Sequence, residues 1–223
     1  MKYLKTVILF CVCILLFSCY FVPSDKSSSS TEEIIPSWDS STVIPGGNPE
    51  NDALFIQENE ITTFSLCDEQ YWSSQGYTLW SFDKELSAAY SSLNFTIQKQ
   101  SGTPEAGYGI IFAQYTTNTV NNMLILLLNT QGQYCVGELK NSKFYTLKSW
   151  TSHDCINKGY AVENAVSINY KNYKYQIKIN NVEVYTIKKN SLLYTTGKVG
   201  YIAVISPKDN FPDERVLITY TKQ

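Results

Sequence analysis

An all-β, two-sheet antiparallel sandwich is the fold class predicted for residues 51–223, and three observations predict it. The stretch is rich in Tyr, Ile, Val, Thr and Phe, residues that fit a pleated, half-buried surface. Turn residues divide it at regular intervals into short runs, the pattern of many short strands. No stretch sustains an apolar repeat at helical spacing, so little helix is expected. Leu86-Ser87-Ala88-Ala89-Tyr90 is the nearest helical candidate, and it reads equally as loop.

The strands follow in order. Ala53 to Ile56 and Ile61 to Leu66 flank a polar turn at Glu58-Asn59. Thr78 to Phe82 and Ser91 to Gln98 come next, then a loop at Ser101-Gly102-Thr103-Pro104. Tyr108 to Tyr115 is followed by a polar connection over Thr116 to Asn121. Met123 to Leu128 is apolar at every position, so both of its faces are expected to be covered, as in a central strand. Gln133 to Leu139 and Lys143 to Trp150 read as a hairpin joined at Asn141-Ser142. Ala165 to Tyr170, Tyr173 to Asn180 and Val182 to Ile187 are joined by tight turns at Lys171-Asn172 and Asn180-Asn181, a strong hairpin signal. Lys198 to Ile205 and Val216 to Thr221 close the fold.

The residues before this domain carry a different signal. Lys2 and Lys5 precede the apolar run Val7 to Phe17, which stops at Ser18-Cys19. A basic start, a short apolar segment and a small residue before the cut describe a secretory signal peptide over residues 1–18. The Leu16-Phe17-Ser18-Cys19 ending resembles a bacterial lipobox, which implies acylation of Cys19 and a membrane anchor. Phe17 stands where small residues are commoner. An uncleaved anchor running on through Tyr20-Phe21-Val22, or ordinary cleavage, are the alternatives. All three place the domain outside the cytoplasm, at the bacterial outer membrane or cell surface, or on a periplasmic face. Residues 19–50, with Ser27 to Ser30 and Pro45-Gly46-Gly47-Asn48-Pro49, read as a flexible tether. Within it, Ile34-Ile35 and Trp38 are apolar enough to dock locally on the domain.

A recurring series then stands out in the domain. Gly107-Tyr108-Gly109-Ile110-Ile111-Phe112 leads into Asn121-Asn122, which opens an apolar strand, and Gly132-Gln133-Tyr134, which opens another. Phe144, Leu147 and Trp150 follow, then Asn164 to Ile168, Tyr175 to Val184, Gly197-Lys198-Val199-Gly200-Tyr201 and Val216-Leu217-Ile218. This order resembles the concanavalin A-like lectin/glucanase jelly roll, the broad group that holds laminin G-like and bacterial family-sixteen-like domains. The resemblance implies a sandwich whose concave face or loop rim binds sugars. Family-sixteen glucanases carry a nucleophile and an acid/base in a Glu-x-Asp-x-Glu series on one strand, and a retaining mechanism needs its carboxyls only ~5.5 Å apart. That series is missing. Asp83-Lys84-Glu85 is the nearest approach and lacks a third acid, and Asp213-Glu214 are adjacent, so they would face opposite ways in a strand. Both pairs read as solvated loop charges, and no catalytic residue is assigned.

Other chemistries find no foothold. His153 is the only histidine, and no Gly-x-Ser-x-Gly elbow, phosphate loop or dinucleotide fingerprint occurs, so no cofactor is implied. His153 with Cys155, Cys67 and Cys135 supplies zinc-type ligands at spacings that match no zinc pattern, so no metal is assigned. With Cys19 lipidated, an odd number of cysteines remains in the domain. One disulfide, Cys155 with Cys67 or Cys135, is the simplest arrangement, and three buried free thiols are the alternative. The formal net charge is −2, and Lys171, Lys174, Lys178, Lys188 and Lys189 are spread over strands and turns as solvent-face charges, so nucleic acid is not an expected partner.

The aromatics carry the remaining functional clue, because 17 tyrosines make flat, amphipathic faces of the kind sugar sites use. Trp80, Trp150, Phe95 and Phe112 read as core, and Tyr170, Tyr173 and Tyr175 as outer-sheet cross-strand pairs. Trp72, in a Ser/Gln/Gly-rich loop, and Tyr115, at a strand end, are the candidate ligand contacts. Met123, Ile125 and Leu127 occupy alternate positions where related domains place polar groups on the ligand face. If they face the groove, a protein partner or a covering segment fits it better than a polysaccharide. The first functional expectation is a non-catalytic, membrane-anchored extracytoplasmic binding lipoprotein with a glycan or an envelope or host protein as ligand. The second is a structural or assembly lipoprotein using the sandwich for protein contact, and the third a glycan-active hydrolase.

Overall fold

Alternating side chains become thirteen strands in the computed structural model, which describes residues 54–67, 77–87, 92–117, 120–140, 143–188 and 197–223. In chain order they are β1 (Leu54–Glu58), β2 (Ile61–Leu66), β3 (Tyr77–Ser87), β4 (Ser92–Ser101), β5 (Tyr108–Thr117), β6 (Val120–Leu128) and β7 (Gln133–Lys140). Then come β8 (Lys143–Ser152), β9 (Asn164–Lys171), β10 (Lys174–Ile179), β11 (Val182–Lys188), β12 (Lys198–Ile205) and β13 (Val216–Lys222). They form a seven-stranded sheet ordered β1-β2-β13-β4-β9-β10-β11 and a six-stranded sheet ordered β3-β12-β5-β6-β7-β8. Every described pairing is antiparallel.

One face of each sheet packs on the other. Phe64, Phe95, Ile97, Ile177, Ile218 and Tyr220 of the seven-stranded sheet meet Tyr108, Ile110, Phe112, Leu124, Leu126 and Tyr201 of the six-stranded one. Aromatic pairs join the layers edge-on or tilted: Phe95 on Tyr201 at 6.1 Å, Phe112 on Tyr175 at 5.3 Å and Tyr220 on Tyr201 at 5.0 Å between ring centroids. Such geometry adds about 0.5–1.5 kcal/mol per pair beyond area burial. The Tyr220 hydroxyl crosses the core to donate to Ile202 O at 2.7 Å, so this bulky side chain is buried without orphaning its polar tip.

Several expectations need correction. Strand β3 runs on to Ser87, so Asp83 to Ser87 are strand, and Ala88 to Tyr90 of the helical candidate lie outside the described residues. The polar stretch Thr116 to Asn121 is mostly strand, since β5 reaches Thr117 and β6 starts at Val120. Tyr170 and Tyr175 do pair, with rings 4.7 Å apart, but Tyr175 belongs to the inter-sheet core, so the pair does not face outward. Tyr173 is not in a strand; it sits with Asn172 in the two-residue turn between β9 and β10.

The three domain cysteines are free, which corrects the expected disulfide between Cys155 and Cys67 or Cys135. Three strands lie between β2, which Cys67 follows, and β10, whose end bonds Cys155. At strand spacing that is ~19 Å, against the ~4.4–6.8 Å that a disulfide spans between Cα atoms. Cys135 pairs with Leu127 on the outer face of its sheet, whereas Cys155 packs on the core from within. Of the alternative, three buried thiols, only Cys135 is fully buried. The same separations keep His153 and the cysteines from forming one ligand set, and no group of His, Cys, Asp or Glu among the described residues is placed to hold a metal.

Candidate functional site

The two outer faces of the sandwich have opposite chemistry. On the six-stranded sheet, Trp80, Ile202, Gly109, Leu127 and Cys135 form one cross-strand row, and Phe82, Gly200, Ile111, Ile125 and Gly137 the next. The expectation for β6 holds: Leu124, Leu126 and Leu128 enter the core, Met123, Ile125 and Leu127 point the other way, and none of the six is more than 4% exposed. Two glycines make room for cover. A Cβ on Gly137 would lie 2.0 Å from the Phe144 ring, and one on Gly107 would lie 3.2 Å from Trp150 and 3.3 Å from Leu127. Phe144 and Trp150 therefore lie over this apolar face. Among the described residues it offers a sugar no row of amides or hydroxyls.

The outer face of the seven-stranded sheet does. In register across its strands run Thr63, Thr219 and Gln98; then Thr221, Thr96 and Ala165; then Asn94, Ser167, Lys178 and Glu183; then Ser92, Asn169, Gln176 and Thr186. A groove of 690 Å³ opens on it, floored by Thr96, Gln98 and Ala165 and walled by Asn157, Lys158, Glu163 and Asn180. Buried Asn164 builds the wall. Its Oδ1 accepts from Asn157 N and Asn180 Nδ2, both at 2.8 Å, and its Nδ2 donates to Asn157 O at 3.1 Å. Asn180 also donates to Cys155 O at 2.7 Å and accepts from Ala165 N at 2.8 Å. These bonds tie up the wall amides and fix the loop, leaving Lys158 and the Glu163 carboxylate at the rim and Gln98 on the floor. This set can hydrogen-bond a hydroxyl-rich ligand and contains no nucleophile–base pair.

The carboxyl pair of β3 is a structural lock. Asp83 is buried, which corrects its reading as a solvated loop charge, while Glu85 and the Asp213-Glu214 pair are exposed. One Asp83 oxygen accepts the amides of Glu85 and Leu86, both at 2.9 Å, and the other accepts the Tyr201 hydroxyl. Lys222 Nζ lies 3.5 Å from Asp83, 2.9 Å from Glu85 and 3.9 Å from Glu60. Burial pushes the Asp83 carboxyl up, but Tyr201, the two amides and Lys222 outweigh it and hold it below the usual carboxylate range. Burial, then the Asp83 hydrogen bond, keeps the Tyr201 phenol protonated far above its ordinary value. A general acid needs a raised pKa, so Asp83, held ionised and bridged by Lys222, is arranged for cohesion.

A second buried cation joins two loops at one end of the sandwich. Lys99 donates to Thr103 O at 2.6 Å and Ala106 O at 3.0 Å, and its ammonium lies 5.9 Å from the centre of the Tyr108 ring. Asp209 accepts the Thr103 amide at 2.6 Å, the Thr103 hydroxyl at 2.8 Å and the Ser206 amide at 2.7 Å.

Of the candidate residues from the sequence, Cys19 and Trp72 lie outside the described residues. Tyr115 lies in β5 with Asn122 as its Cα partner, and its side chain is likewise outside the description. The polar face was missed, although its signal is present in Ser92-Leu93-Asn94-Phe95-Thr96-Ile97-Gln98, where every second residue is polar. Among the described residues no helix is long and apolar enough to cross a membrane.

No protein-family model matches the sequence, and no curated protein is detectably similar to it. Solved structures are similar in fold. A glycoside hydrolase family 16 endo-glucanase from Bacteroides ovatus superposes with a TM-score of 0.50 at 8% identity, over 84% of this chain and 91% of that one. A Bacillus licheniformis beta-glucanase gives 0.49 at 9% identity, over 73% of this chain and 76% of its own. A carbohydrate-binding module from Bacillus subtilis gives 0.43 at 7% identity, over 73% and 86%. At such identities the likeness is one of architecture alone. With its two antiparallel sheets, this chain has the concanavalin A-like jelly-roll fold.

Proposed function

We propose that this chain is an exported, non-catalytic binding lipoprotein, anchored through Cys19, whose sandwich takes a glycan on the outer face of its seven-stranded sheet. The observation that carries the reading is the contrast between the faces. Hydroxyls and amides run in register across the seven-stranded sheet and continue into the 690 Å³ groove. The corresponding face of the six-stranded sheet is apolar and buried. The test is a panel of envelope and host glycans against the full chain. Gln98→Ala and Lys158→Ala should each weaken binding by about 1–2 kcal/mol, while Trp72→Ala and Tyr115→Ala leave it intact. Loss in the Trp72 and Tyr115 variants alone would move the site away from this groove. Release of reducing sugar from any glycan in the panel would sink the non-catalytic reading.

One observation favours a second reading, that of an assembly lipoprotein. Apolar Ile111, Ile125, Leu127 and Ile202 line a sheet face that polar groups would occupy in an open sugar groove. Cross-linking that captures a protein through Phe144 or Trp150, the half-buried side chains that cover this face, with no glycan bound anywhere, would establish it.

A further inference from the structure

We propose that an acidic glycan, a polysaccharide with an anionic group on successive sugars, binds across Lys171, Lys174 and Lys188 with Tyr173 at the head of the row. The inference rests on the glycan-binding reading, names the ligand's chemistry, and places it at the opposite end of the same sheet face from the 690 Å³ groove. In sequence the three lysines look scattered, but the register aligns them: Lys174 pairs with Lys171 on β9 and with Lys188 on β11. Three like charges thus stand side by side on one face, an arrangement that opposes strand pairing unless an anion offsets it. All three are exposed, and no carboxylate among the described residues is ion-paired to them. Protection of a sheet edge explains Lys188 on the edge strand β11, but not the other two, which lie on inner strands.

Tyr173 supplies the second, independent observation. It is 61% exposed, at the tip of the hairpin. Its φ is 58° and that of Asn172 is 52°, the left-handed pair of a two-residue turn whose second position favours glycine. A bulky ring kept there, at a steric cost glycine avoids, points to use of the ring. With Asn172, Lys174 and Lys188 it lines a depression of 370 Å³. An exposed phenol face beside ammonium groups suits a sugar ring that carries a negative charge.

The neighbouring row decides for a glycan over a bare polyanion. Asn169, Gln176 and Thr186 lie one step along the same face. Asn169 donates to Ser167 at 3.1 Å, Gln176 to Glu183 at 3.3 Å and Thr186 to Glu183 at 2.7 Å, which leaves the two amide oxygens to accept from ligand hydroxyls. Glu183 is held back by these bonds and stands opposite Lys178 in register. The lysine row spans ~10 Å at strand spacing, enough for successive charges on an extended chain.

The test measures binding of oligogalacturonate, a neutral oligoglucan and inorganic polyphosphate to the full chain in detergent. Oligogalacturonate should bind and weaken as salt rises. Lys174→Glu should lower its affinity at least about tenfold. Charge reversal relieves the like-charge row, so Tm should hold or rise, which separates lost binding from lost folding. Tyr173→Ala should weaken oligogalacturonate and leave polyphosphate unchanged, because only a sugar stacks. Equal oligogalacturonate affinity in wild type and Lys174→Glu overturns the proposal, as does polyphosphate binding as tightly with Tyr173→Ala without effect on either ligand. Neutral oligoglucan binding that survives Lys174→Glu, with no preference for the acidic sugar, leaves the glycan reading standing and this inference refuted. Binding of no sugar, charged or neutral, refutes both.

Discussion

Lys99 is 1% exposed, and among the described residues no carboxylate oxygen is bonded to its ammonium, which rests on two carbonyls and beside a ring. Burial therefore dominates and depresses its pKa from 10.5 to about 8, with Asp209 and then Glu105 resisting. The sign of the stability effect follows from proton counts. Below pH 8 both states hold the proton. Between about 8 and 10.5 the unfolded chain holds it and the folded one does not, so stability rises with pH, by on the order of 3 kcal/mol at most. Above pH 10 the trend reverses. Burial raises Tyr108 to about 12, so the unfolded phenol ionises before the folded one and stability falls. Tm is expected to climb from pH 8 and peak near the start of tyrosine ionisation. Lys99→Met should abolish the climb while keeping the fall. A climb that persists in the variant would show that another group carries it.

Strand β3 shows what an element's sequence reveals and what it hides. Its apolar half was legible, but Asp83-Lys84-Glu85 breaks the alternation and reads as a loop. It is strand because Tyr201 and Lys222, over a hundred residues away, satisfy Asp83. Asp83→Asn should cost about 1–3 kcal/mol through the lost ion pair and weakened hydrogen bonds, and leave glycan binding unchanged. Because the folded Asp83 pKa is depressed, its contribution is present above the unfolded value of 3.8 and is lost as pH falls through the folded one. Acid unfolding should accordingly be shallower in the variant. An Asn variant with wild-type stability and acid limb would refute the lock. Elements with local signals fared better. The all-apolar β6 is covered on both faces and the Asn180-Asn181 turn formed where expected, while the β9–β10 turn, expected at Lys171-Asn172, lies one residue on at Asn172-Tyr173. The lysine row stayed hidden because register between β9, β10 and β11 belongs to the fold and is not printed in any one segment.

At the scale of the whole molecule, the sandwich presents a polar face suited to a ligand, while the N-terminal residues supply the proposed attachment. The three readings of those residues diverge in one experiment on the full chain expressed in a bacterium. A diacylglyceryl group brings two acyl chains, each contributing ~0.8 kcal/mol per buried CH₂, so the lipidated protein should partition wholly into a detergent phase. Its mature N-terminus should begin at a modified Cys19 by mass spectrometry. With Cys19→Ala the lipid has no attachment point. An uncleaved Val7 to Val22 anchor would nevertheless hold that variant in the detergent phase with Met1 retained, because the run approaches the ~20 apolar residues that span a bilayer. Ordinary cleavage would give an aqueous protein with or without the substitution. Only lipidation predicts a shift from the detergent to the aqueous phase, or accumulation of unprocessed precursor, that depends on this one sulfur. An unmodified Cys19 in wild type would end the lipoprotein reading and leave the polar-face site to be tested on its own.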